Sequence, residues 1–409
     1  MYESKLYKYA ELLVKTGINL KKDQILVVRS PIDCAEFARA VVEVGFDAGA
    51  KDVVVFWSDE IYSKIRYLKG PDALFDEMPS WQKEFYLSYV RQDAAFLSIS
   101  ASDPDNFKDV DPLRIQRFAR AFNAEVSEYR ERLMNNENVW CVASVPTPAW
   151  AKKVYPEIAV EDAMSKLWEA IYEAVRVNTP DPVAAWETHK NALKSQMAKL
   201  NALNLKSLHY TNTLGTDLRI ELPEGHLWLG GSDLTPDGHE FIANMPTEEV
   251  FTAPKRDGVE GRVVSSMPLN FNGSLIDGFE LTFKEGKVVD FKAEVGYVQL
   301  KRLLETDEGS AYLGEVALVQ YDSPISNMGL LFYNTLFDEN ASCHLALGKA
   351  YPVCIKGGEH MDHDTLIKNG INHSITHEDF MIGTKDLKIV GLTATGETVE
   401  IFRDGNFVL

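Results

Sequence analysis

The sequence predicts an α+β protein, with an N-terminal open α/β domain followed by a β-rich domain. Three observations lead there. Continuous apolar runs alternate with amphipathic helical segments through the first half. A long helical stretch, interrupted at "NTPDP", comes next. After Lys206 the texture changes to short alternating strands, glycines and hairpin turns. Domain ranges of 1–200, including the helical bridge, and 201–409 follow from that change.

Each element has its own signal. "MYESKLYKYAELLVKTG" reads as an amphipathic helix, because charges interrupt its apolar residues too often for a secretory signal. "QILVVRS" (Gln24–Ser30) has the pattern of a short buried strand. "DCAEFARAVVEVGFDAGA" reads as a helix, with Asp33 at its cap and Gly49 near its end. "KDVVVFWSD" returns as a second apolar strand, so this β–α–β unit predicts parallel pairing. "AAFLSIS" (Ala94–Ser100) and "VWCVASV" (Val139–Val145) add two strands, with "LRIQRFARAFNAEVSEYRERL" as one helix between them. In the second half, "FELTFKEGKVVDFKAE" and "VEIFRDGNFVL" predict hairpins turned at Glu-Gly-Lys and Asp-Gly-Asn.

Composition excludes several classes of function. The chain has 409 residues, 45% hydrophobic and 25% charged, with a formal net charge of −19. That charge opposes binding to nucleic acid or to anionic membranes. The four cysteines, Cys34, Cys141, Cys343 and Cys354, are scattered and form no C-x-x-C pair, against a disulfide framework or a thiolate zinc site. No apolar run approaches the roughly 20 residues that span a bilayer. A reduced, cytoplasmic protein without a membrane or nucleic-acid partner is expected. G-x-G-x-x-G, P-loop, G-x-S-x-G and H-E-x-x-H motifs are all missing.

The candidate chemistry lies in the second half. Glu315 heads the apolar run "GEVALVQY", where a carboxylate is costly unless paired or coordinated. In "FDENASCHLALG", strand alternation puts Cys343, Leu345 and Leu347 on one face and His344 with Ala346 on the other, with Glu339 just upstream. "NMPTEEVFTAP" offers Glu248 and Glu249 on opposite faces, and spacing does not choose between them. In "NHSITHEDFMIG", His377 and Asp379 point the same way if extended, a pairing suited to zinc. "GGEHMDHDT" offers a rival His-x-Asp at His360 and Asp362, followed by His363, but reads as a solvated loop, whereas ligands belong on rigid elements. Glu249, Glu315, Glu339, His344, His377 and Asp379 together make a carboxylate–imidazole set of the kind that two hydrolytic metals with a bridging water require.

Four motifs, "NMPTEEVFTAP", "GEVALV", "NASCHLALGKAYP" and "NHSITHEDFMIG", resemble in order and spacing the aminopeptidase T / aminopeptidase S / PepS family of dinuclear metalloaminopeptidases. The opening "YAELLVKTGINLKKDQILVV" extends the resemblance along the whole chain. The resemblance implies metal ligation by Glu249, Glu315, His344, His377 and Asp379, with Tyr351 in the active site. It implies that Glu339 touches the second metal or orients a ligand, and that His373 is a neighbour only. Glu378 departs from the family pattern, where a hydrophobic residue is expected, and is harmless only if it faces away from the site. The resemblance further implies a catalytic β-rich domain, a homodimer and an enclosed site limited to short peptides with a free N-terminus. Two divalent ions are implied, zinc first and cobalt, manganese or magnesium as alternatives. Glu315 is the first choice to shuttle protons and Glu339 the second, with Tyr351 hydrogen-bonding the oxyanion. Two other readings use the same residues: an amidase acting on a nonpeptide substrate, and a noncatalytic binding protein.

Overall fold

The computed structural model describes residues 4–271 and 274–409. Met1–Glu3, the start of the helix expected at the N-terminus, lie outside the described residues. Helix α1 spans Lys5–Leu12, capped by the Ser4 side chain, and continues as a wider turn over Leu13–Gly17. By Cα proximity the chain forms two compact units, Met1–Thr188 with Ser232–Pro246, and His189–Gly231 with Thr247–Leu409. The units interleave in sequence where contiguous ranges of 1–200 and 201–409 were expected.

In the first unit the apolar runs become parallel strands β1 (Ile25–Pro31), β2 (Asp52–Ser58), β3 (Ala95–Ile99) and β4 (Trp140–Ala143), ordered β4-β3-β1-β2. The short strand Asn244–Met245 adds to the free side of β4, also in parallel. Helix α2 (Ala35–Asp47) makes the crossover between β1 and β2. Gly49 follows its C-terminus at φ +93°, a conformation that favours glycine.

Two local expectations are corrected. Asp33 does not cap α2: a 3₁₀ turn over Ile32–Cys34 intervenes, and the cap position falls on Cys34 without a side-chain bond. The helix expected between β3 and β4 is two helices, Pro112–Glu125 and Ser127–Met134, parted at Val126. Val126 leaves the helical region at ψ 24° and is fully buried, packing with Tyr129, Phe96 and Tyr86. Core packing there outweighs the unbroken helical periodicity that the sequence shows.

The second unit is built mainly from two large antiparallel sheets. One has eight strands, ordered Lys287–Lys292, Glu280–Lys284, Val259–Val264, Asp217–Glu221, Leu205–Thr211, Lys388–Thr393, Thr398–Arg403 and Asn406–Phe407. Both expected hairpins are in it. Their turns place Glu285-Gly286 and Asp404-Gly405 at positive φ, matching the twist of the strands they join. The other sheet has five strands, ordered His377–Met381, His344–Gly348, Leu313–Val319, Glu249–Thr252 and Leu229–Gly230. Val250, Val316, Leu318, Leu345, Leu347 and Phe380 from this sheet join Leu208, Ile220, Leu281 and Ile389 from the other in one apolar core. Alternation therefore commits the opposite face of the five-stranded sheet to other residues. Among the described residues no helix is long and apolar enough to cross a membrane, and the four cysteines are buried and unpaired.

Candidate metal centre

That opposite face collects the candidate ligands by register. Glu315 pairs with Ala346, which pairs in turn with Asp379. Ala317 lies between Phe251 and His344, and Gly348 pairs with His377. Paired residues of neighbouring strands share a face, so Glu249, Glu315, His344, His377 and Asp379 project from four adjacent strands to one side. Their donor atoms form two groups, Glu249–Glu315–His344 and Glu315–His377–Asp379, each within 4.8 Å. Glu315 belongs to both.

Hydrogen bonds orient the two imidazoles identically. His344 Nδ1 lies 3.1 Å from the Ser342 carbonyl oxygen, and His377 Nδ1 lies 2.6 Å from that of Lys349. A carbonyl only accepts, so each Nδ1 carries the hydrogen and each Nε2 of the neutral ring turns a lone pair inward. Nε2 of His344 is 3.1 Å from Glu249 Oε2 and 3.7 Å from Glu315 Oε1. Nε2 of His377 is 3.4 Å from both Glu315 Oε2 and Asp379 Oδ1. These approaches are close but poorly aligned: Glu249 Oε2 and Asp379 Oδ1 are buried without a hydrogen-bond partner. Gly348 keeps the His377 strand near, because at its φ of +105° an added Cβ would lie 2.3 Å from the Thr376 carbonyl oxygen.

The electrostatics are lopsided. Burial disfavours charge on Glu249 and raises its pKa against the pull of His344. Burial acts on Glu315 as well, but His344 and His377 together bring it down to about 2. Burial opposes protonation of His344 and His377, yet the carboxylates facing them raise both. Glu339 lies outside both groups, on the turn Glu339–Ala341. Burial, followed by Asp379 and Glu249, lifts its pKa well above the ordinary range. Four carboxylates thus surround two imidazoles in a desolvated place, with both Nε2 atoms turned inward and two carboxylate oxygens orphaned. A divalent cation fits this donor set: it would supply the positive charge that the carboxylates otherwise draw onto the imidazoles and engage the orphaned oxygens, and the Nδ1–H bonds to carbonyls are those that orient histidine ligands.

Tyr351 borders this face. Its ring lies 5.1 Å from that of His377 and 6.2 Å from that of Phe251, and it remains 36% exposed. Desolvation around its hydroxyl, together with the nearby carboxylates, keeps the phenol protonated. Glu248 sits apart from the two groups. Its backbone N–H donates to Asn340 Oδ1 at 2.7 Å, and its carboxylate lies 3.6 Å from His189. Glu378 pairs with Leu347 on the core-side face, turned away from the donor groups; it is half-buried there, and burial raises its pKa to about 7. His360 and His363 are exposed and outside both groups, and His373 stacks edge-on against His363 at 4.1 Å. Sequence reasoning missed Phe251, although alternation from Glu249 carries it to the same face. It also missed Asn340, fully buried, whose side chain bonds the Glu248 backbone and lies 3.4 Å from Glu339. No motif marks that asparagine.

A family model described as thermophilic metalloprotease (M29) matches residues 2–407. Aminopeptidase AmpS of Bacillus subtilis is 47% identical over 406 residues, covering 99% of both chains. Aminopeptidase T of Thermus thermophilus is 39% identical over 412 residues, covering 100% of this chain and 99% of that one. The solved structure of wild-type AmpT from Thermus thermophilus superposes with a TM-score of 0.93 at 38% identity, covering 99% of each chain. A dioxygenase from Pseudomonas putida KT2440, at 11% identity and a TM-score of 0.53, shares the fold alone.

Proposed function

Because the chain belongs to the thermophilic metalloprotease (M29) family, we propose that it is a metal-dependent aminopeptidase that releases N-terminal residues from short peptides. The observation that carries this reading is the matched pair of imidazoles, each with Nδ1–H on a carbonyl and Nε2 turned toward carboxylates. Glu249, Glu315 and His344 would hold one divalent ion and Glu315, His377 and Asp379 a second, Glu315 being common to both groups. Zinc suits imidazole and carboxylate donors, and cobalt, manganese or magnesium are alternatives that availability decides. When bound, such ions polarise a carbonyl and make water acidic enough to act near neutral pH.

The chain's own residues handle protons and position the substrate. Glu315 is the first choice for the proton shuttle on sequence grounds, but as the member common to both groups it would be engaged in holding the ions. Glu339, the second choice, is therefore assigned that role: it lies outside both groups but is buried beside Asp379 and Glu249, where it would take a proton from water and hand it to the leaving amine. Tyr351, held protonated, donates a hydrogen bond to the developing oxyanion, a contact that strengthens in the transition state. A carboxylate of this acidic cluster binds the substrate's α-ammonium, which limits cleavage to the first peptide bond. A homodimer in the cytoplasm completes the reading, on the family resemblance.

Chelation should abolish hydrolysis of aminoacyl-p-nitroanilides, and zinc, cobalt or manganese should restore it. Full activity after verified metal removal would defeat the proposal. N-acetylated substrates should resist; if they were cleaved as fast as free ones, the amidase reading would replace this one.

A further inference from the structure

We propose that the first unit carries a second ligand site, a small-oxyanion site built around Arg29 at the carboxyl ends of β1 and β3. The sheet order makes this the switch point of the fold. From β1 the crossover through α2 leads to β2 on one side, while β3 and β4 lie on the other. Open parallel sheets bind ligands in the crevice that opens where connections diverge in this way. A cavity of about 240 Å³ lies here, lined by Arg29, Ser30, Ser58, Ser98 and Ser100 with Phe56 and Ile99.

Arg29 is the reason to expect an anion. Its register partners are Phe56 and Ser98, so it stands on the face whose lower rows, Val27, Val54 and Phe96, are apolar core. The guanidinium lies 5.4 Å from the centre of the Tyr86 ring, and Nη1 is 3.5 Å from the Tyr129 hydroxyl. Nε is buried with no hydrogen-bond partner. Among the described residues no carboxylate pairs with it. The acids that follow the lining residue Ser58 are turned onto backbone: Asp59 accepts from the Tyr62 N–H and Glu60 from the Asp103 N–H, both at 2.9 Å. Two aromatic rings offset only part of the cost of desolvating a guanidinium. A phosphate or a carboxylate would satisfy Nε and meet Arg29 in its favoured fork geometry, with serine hydroxyls as further donors. The volume falls below the roughly 300 Å³ of ordinary ligand pockets and suits a small anion rather than an extended ligand.

The test is calorimetric titration of the metal-loaded full chain with inorganic phosphate and, separately, acetate, at fixed pH and ionic strength. The expected result is millimolar or tighter binding that weakens by about tenfold or more in Arg29→Met, less in Arg29→Lys and Ser98→Ala, and not at all in His344→Ala. Binding of phosphate alone assigns a phosphoryl ligand, and binding of acetate alone a carboxylate; either supports the site. No heat with either anion up to about 10 mM, equal affinity in Arg29→Met, or loss only in His344→Ala would overturn it. If circular dichroism shows Arg29→Met misfolded, unchanged affinity in both Arg29→Lys and Ser98→Ala overturns it instead.

Discussion

His377–Asp379 and His360–Asp362 are the same His-x-Asp pattern, lying seventeen residues apart. In the first pair both residues extend from an internal sheet face, and His377 is fixed by the Lys349 carbonyl. In the second, His360 ends an exposed 3₁₀ turn, and Asp362 caps the helix His363–Lys368 by accepting from the Thr365 N–H at 2.8 Å. One aspartate stabilises a helix end and the other retains an oxygen without a hydrogen-bond partner. Residue types alone therefore do not make a metal site; a shared face, burial and an oriented imidazole do.

The sharpest way to break this contrast is Glu315→Gln, which removes the residue common to both donor groups. Activity should fall by on the order of 10³-fold or more, with loss of both metals by elemental analysis. His377→Ala should lose one metal and roughly 10²-fold in activity, while His360→Ala should change neither by more than about twofold. Equal effects of those two alanines would erase the distinction between the patterns. Tyr351→Phe should lower kcat by about 10²-fold with metal content and KM nearly unchanged, as removal of a transition-state hydrogen bond does.

The smallest expected effect concerns Glu378, on the core-side face. Its folded pKa is raised to about 7 by burial, above the ordinary glutamate value. Stability from this group is thus full below that ordinary value and is lost as pH rises through about 7. Glu378→Gln should flatten that part of the stability–pH curve and add about 1–2 kcal/mol near pH 8, leaving metal content intact. Loss of metal in this variant would mean that Glu378 serves the site.

Much of this was legible in the sequence where period and burial agree. The run from Ile25 to Val28 could only be a buried strand, and the alternation around His344 separated it from Cys343 and Leu345 as the sheet does. Glu248 and Glu249 could not be told apart, because only the register with Val319 puts Glu249 on the ligand face. The role of Glu315 as the shared member depends on strands that lie far from it in sequence on both sides, from Glu249 to Asp379, which no local spacing encodes. The break at Val126 and the bonds of Asn340 were hidden for a like reason: both answer to tertiary packing. Arg29, half-buried beside two tyrosines, carries no motif that marks it.

The central claim is that Glu315 is shared by two metals. Elemental analysis of metal-loaded wild-type protein alongside His344→Ala, His377→Ala and Glu315→Gln tests it most directly. The account predicts two divalent ions per chain, one in each histidine variant and none in Glu315→Gln. Unchanged stoichiometry in both histidine variants, or a single ion in the wild type that survives Glu315→Gln, would contradict it.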